Sequence, residues 1–149
     1  MHHDNPPSTA RLAGHPIHAM LVPFPIACFV GTFITDLAYW RTAAVMWETF
    51  SIWLLAAGLI MGGFAALAGL VDLFGSRRTR ALPVAWLHML GNLLILGLSL
   101  INAFVHSRDG YTAVVPTGIV LSGLVVLLLL FTGWMGGTMV YRHRVGVAN

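Results

Sequence analysis

Charge is the scarcest property of this chain: only 9% of its 149 residues are Asp, Glu, Lys or Arg, against about 25% in an ordinary soluble domain. With 58% hydrophobic residues and a mean hydropathy of +0.83, the water-soluble globular, disordered and collagen-like classes are excluded. Lysine is absent, and the eight basic residues are arginines scattered in ones, twos and threes. No basic stripe with interleaved exposed aromatics exists, which argues against nucleic acid as a partner. Cysteine occurs once, as Cys28 inside an apolar run. One thiol makes neither an intramolecular disulfide nor a thiolate cluster, so a disulfide-stapled fold, an iron–sulfur centre and a structural cysteine zinc site fall away.

What the chain has instead is four uncharged runs long enough to cross a bilayer, which takes about 20 apolar residues in a helix. They fall at about 16–40, 49–74, 83–105 and 115–141. The expected fold is an all-α integral membrane protein, an antiparallel four-helix transmembrane bundle forming one domain over 12–147, with the lipid bilayer as its solvent. A flexible polar tail over 1–11, including His2, His3, Asp4 and Pro7, and a short tail at 148–149 flank it. The polar start and the length of the first run argue against a cleaved signal peptide. Arg11, Arg77, Arg78, Arg80, Arg142 and Arg144 fall on one side and only Arg41 and Arg108 on the other, which predicts cytoplasmic termini. Trp40, Trp47, Trp53 and Tyr111 fit an aromatic belt at the outer rim. Gly58-Leu-Ile-Met-Gly62 and Gly133-Trp-Met-Gly-Gly137 supply small-residue spacing for packing within the bundle or between protomers of a homo-oligomer.

Ionisable groups in a membrane are costly and mark functional positions. His15 and His18 flank the start of the first span, three apart, where one helix face would present both rings. His88 lies about five residues, roughly 7–8 Å, inside the third span, with Asn92 one turn on. Asp72 ends the second span and His143 follows the fourth. Each helix thus brings at least one such group to the cytoplasmic end. Blander roles stand beside this: Asp72 pairing Arg77 or Arg78, His143 solvated between Arg142 and Arg144, His88 bonded to Asn92. At the other end Glu48, His106 and Asp109 read as ordinary interface residues, and Asp36 as structural, bonding Thr32, Thr35 or a neighbouring span, rather than as a proton relay. Pro23 and Pro25 should kink or locally unwind the first span. Gly133, Gly136 and Gly137 around Trp134 offer a surface for close approach of a flat group or of another backbone.

The ordered set Gly14-His15-Pro16-Ile17-His18, Leu21-Val22-Pro23-Phe24-Pro25-Ile26, Gly69-Leu-Val-Asp72, Leu87-His88-Met-Leu-Gly-Asn92 and Gly133-Trp-Met-Gly-Gly137 through Tyr141-Arg-His143 resembles the bacterial membrane proteins catalogued as domain of unknown function 2231. It departs from the expected pattern at Ala19, where proline is expected, and at Arg144, where glycine is. The resemblance implies a four-span inner-membrane protein, and some relatives look like fusions to a Rieske iron–sulfur domain. That context implies electron transfer with a redox or membrane-complex partner, and makes His15, His18, His88 and His143 candidate ligands of haem b. His18 and His88 are the preferred pair, being deepest and on different helices; Arg77, Arg78, Arg142 and Arg144 would face haem propionates. A second reading is a site for copper, zinc or non-haem iron built from His15, His18, Asp72 and His88. The third is a non-catalytic accessory subunit in which the polar groups lock the helices together. No nucleophile elbow, carboxylate pair or phosphate loop supports a stand-alone enzyme.

Overall fold

The computed structural model describes residues 5–6, 8–108 and 114–147. His2, His3, Asp4, Pro7, Asp109, Tyr111 and the 148–149 tail lie outside these residues. A two-stranded hairpin, β1 (Arg11–Leu12) and β2 (His15–Pro16), leads into α1 (Ile17–Leu21) and α2 (Pro23–Thr42), then α3 (Val45–Gly75), a short α4 (Arg77–Arg80), α5 (Pro83–His106), a kinked turn at Val114–Gly118, and α6 (Ile119–Tyr141). Four segments are long and apolar enough to cross a membrane: Ile17–Thr42, Val45–Gly75, Pro83–His106 and Val114–Tyr141. Side-by-side packing runs α2 against α3, α3 against α5, α5 against α6 and α6 back against α2. The four spans form a ring, with α2 diagonal to α5 and α3 diagonal to α6.

Local chemistry sets the joints. Proline begins both α2 and α5, where the missing N–H is no loss. Val22, between α1 and α2, keeps right-handed helical dihedrals, so Pro23 and Pro25 interrupt the hydrogen-bond ladder of the first span without unwinding it. Ala43, at φ 53°, closes α2 through its N–H on the Tyr39 carbonyl at 2.7 Å and leaves a two-residue link to α3. Ser76 caps α4 by accepting from the Thr79 N–H at 3.2 Å.

The start of the chain is not a frayed tail from Ser8 onward. Ala13 and Gly14, with φ of 49° and 85°, make the tight turn that pairs Leu12 with His15. Ser8 Oγ, Thr9 N–H and Ala10 N–H all donate to Asp72 Oδ1, at 2.9, 2.6 and 2.7 Å. The chain end folds back to the same place: Gly146 N–H donates to the Pro6 carbonyl at 2.9 Å, and the Asn5 amide to the Val147 carbonyl at 3.3 Å. Arg144 sits at φ 55°, in the left-handed region where glycine costs least.

The apolar centre consists of Phe29, Leu55, Ile95, Val125 and Leu129. Gly58 admits Phe29, since a Cβ at that position would lie 2.6 Å from the Phe29 ring. The Gly58–Gly62 spacing therefore serves α2–α3 and α3–α5 packing inside the bundle. Gly133 has open space where its Cβ would be, and Gly137 would meet only Tyr141 of its own helix.

Candidate functional site

His18 and His88 come from diagonal segments and meet inside the bundle near the end that carries both termini. Their ring centroids are 6.1 Å apart, and the planes stand at 82°. Each ring is held by the helix beside its own. His18 Nδ1 donates to the Ala65 carbonyl of α3 at 2.7 Å, and His88 Nδ1 to the Thr132 carbonyl of α6 at 3.0 Å. A carbonyl oxygen only accepts, so both imidazoles are Nδ1–H tautomers when neutral and keep the Nε2 lone pair free. Glycines make room for both rings: a Cβ at Gly69 would lie 3.0 Å from His18 Nδ1, and one at Gly136 3.3 Å from His88 Cε1.

Two cavities adjoin the pair. One, of about 120 Å³, is bounded by Gly69, Asp72, Thr79, Met89 and Met139 among others; the second, of about 70 Å³, reaches Pro25, Phe29, Gly62, Ile95 and Thr132. His18, Ala66, His88 and Asn92 wall both. The Asn92 amide donates to the His88 backbone carbonyl at 2.7 Å, not to its ring. Phe29 closes the second cavity and also lines a narrow one beyond it, beside Thr32, Ser99, Asn102 and Ser122.

The remaining sequence candidates do not join this pair. His15 is exposed on β2, outside any helix, so it shares no helix face with His18. His143 is half-buried in the turn after α6 and walls neither cavity. Asp72 borders the larger cavity, and its Oδ1 accepts from the N-terminal segment, a partner that the sequence did not point to. Among the described residues no three His, Cys, Asp or Glu side chains form a metal-binding group, so His15, His18, Asp72 and His88 do not assemble as one site. Trp134 is 70% exposed and stacks on Phe131, away from the cavities. Arg77, Arg78 and Arg142 are exposed at this end and line neither cavity.

At the opposite end Asp36 does bond neighbouring spans, as its position suggested, but Glu48 and His106 are not the interface residues expected: they belong to a second buried polar layer around it. Asp36 is fully buried, and His106 and Glu48 are each 4% exposed. His106 Nε2 meets Asp36 Oδ1 at 2.9 Å, Ser51 Oγ donates to the same oxygen at 2.6 Å, and Ser122 Oγ donates to Oδ2 at 2.7 Å. The signal for it lay in hydroxyls at core-facing positions of three helices, Thr32, Ser51 and Ser122, in register with Asp36.

No curated protein and no solved structure matches the chain. A family model described as a predicted membrane protein, DUF2231, matches residues 14–149, and the chain belongs to that family.

Proposed function

We propose that this protein is a small electron-transfer subunit of the bacterial inner membrane, resembling a b-type cytochrome, in which His18 and His88 hold the iron of haem b. The observation that carries this reading is the facing pair. Their centroids stand 6.1 Å apart, a separation at which both Nε2 atoms would reach one metal ion at about 2 Å each. Two imidazole donors would suit haem b, which brings four nitrogens of its own, whereas zinc, copper or non-haem iron alone asks for three or four protein ligands. The pair walls cavities of about 120 and 70 Å³, smaller than the roughly 300 Å³ or more of a pocket that encloses a ligand of this size, so haem uptake would require the spans to part around the rings.

Haem b would supply a centre that takes up and releases one electron at a time. The chain's own part is to fix the rings and keep the centre dry. The Ala65 and Thr132 carbonyls lock each tautomer and make Nε2 the more basic donor. Leu70, Leu73, Leu93 and Leu96 exclude water from the walls. The arginine excess supports a cytoplasmic position for this end, where the exposed Arg77, Arg78 and Arg142 would meet propionates and a redox partner.

Absorption spectra of protein produced with haem available test the reading. A Soret band is expected in the wild type and a loss of at least tenfold in both His18→Ala and His88→Ala. Absence of the band, or a band unchanged in the double variant, overturns it; a stoichiometric metal ion without a Soret band would do the same.

A further inference from the structure

The buried pair at the far end plays no part in that reading. Asp36 on α2 and His106 on α5 face each other across the bundle, and both side chains are wholly removed from solvent. His106 Nδ1 lies 2.9 Å from the Asn102 carbonyl and must donate to it. Nε2 faces Asp36 Oδ1 at 2.9 Å, so in this geometry one proton lies between them. It sits either on the ring, giving imidazolium and carboxylate, or on the carboxyl, giving a neutral pair. Removing it sets a lone pair against a buried carboxylate.

Three features separate this arrangement from a permanent structural ion pair. The cation is a histidine, whose charge changes near neutral pH, where an arginine would stay charged. The other donors to Asp36 are hydroxyls, Ser51 and Ser122, with Thr35 Oγ1 2.7 Å behind Ser51; a hydroxyl both donates and accepts, so it can turn to follow the proton. Glu48 is buried on α3 one turn before Ser51, which bonds Asp36, and stands at the helix end nearest the rim, three residues into α3. It is the chain's single glutamate. From the other elements, α6 brings the Ser122 hydroxyl, Gly118 before it leaves space for the ring, Tyr39 stands one turn beyond Asp36 on α2, and Arg41 and Arg108 at this end are exposed.

We propose that Asp36 and His106 form a binding site for one exchangeable proton, filled and emptied at the far aqueous face through the carboxylate of Glu48. On release the proton leaves the His106–Asp36 pair, is taken up by the Glu48 carboxylate and passes from there to water. Neutral imidazole remains beside a carboxylate that keeps the Ser51 and Ser122 hydrogen bonds, and uptake is the reverse. No oxidant, metal or second ligand enters the step.

The test uses the whole protein in lipid nanodiscs. Val105–His106 is the chain's one Val–His pair, so joint labelling of valine carbonyl carbon and histidine nitrogen assigns His106 by NMR without a substitution. Between pH 5 and 9 the wild-type His106 Nε2 resonance is expected to titrate as one proton, and Asp36→Asn to move its midpoint by at least one pH unit. In Glu48→Gln the midpoint is reached but exchange slows by tenfold or more. A His106 signal constant across that range, as a fixed ion pair would give, overturns the proposal, as does a midpoint unmoved by Asp36→Asn. Unchanged exchange in Glu48→Gln overturns the route. Should Asp36→Asn fail to fold, the wild-type titration and the Glu48→Gln rate decide.

Discussion

A carboxylate oxygen that accepts two backbone N–H groups and a hydroxyl, as Asp72 Oδ1 does, anchors a strand of chain with no regular structure of its own. Hydrogen bonds to a charged acceptor contribute about 1.5–3 kcal/mol each. Asp72→Ala leaves Thr9 and Ala10 without that acceptor. The expected result is amide hydrogen exchange at least tenfold faster over residues 8–17, with the four spans unchanged; equal exchange in variant and wild type would remove Asp72 as the anchor. The residue was legible in sequence as an acid at a membrane edge. Its partner was not, because the contacts span 62–64 residues and the donors are mainly main-chain groups that carry no compositional signal. His18 and His88 were legible because depth alone makes an imaginable surface role costly. Their mutual approach depends on the order of helices around the ring, which hydropathy does not encode.

At the scale of the helix, four extra residues on the second span and one on the third decided what the sequence concealed. The second span begins at Val45 instead of about 49, and the third ends at His106 instead of about 105. The two-residue link at Ala43–Ala44 draws the start of α3 close to α2. Glu48 and His106, expected at the rim, are thereby carried inside, beside Asp36. The same helices show where backbone approach is obligatory. A Cβ at Gly58 would lie 2.6 Å from the Phe29 ring, whereas one at Gly63 meets open space. Overpacking of this kind costs about 1–3 kcal/mol. Gly58→Val is therefore expected to lower Tm clearly in detergent and Gly63→Val to leave it nearly unchanged; equal Tm values for the two variants would refute a packing role for Gly58.

In the whole molecule one pattern occurs twice. At each end, groups on the diagonal first and third spans face each other, while the second and fourth supply their hydrogen-bonding partners: Ala65 and Thr132 at one end, Ser51 and Ser122 at the other. Both terminal segments meet at the His18–His88 end, so topology reporters at either terminus must give the same answer. With six arginines at that end, fusions at both termini are expected to be fluorescent as cytoplasmic green fluorescent protein and inactive as alkaline phosphatase; active phosphatase at either terminus would reverse the orientation. Between the two polar layers the axis is closed by Phe29, which walls the cavity below it and the cavity above it. Anything that passed from one polar layer to the other would have to cross Phe29 and its neighbours Leu55, Ile95, Val125 and Leu129, so the bundle keeps the chemistry of its two ends apart.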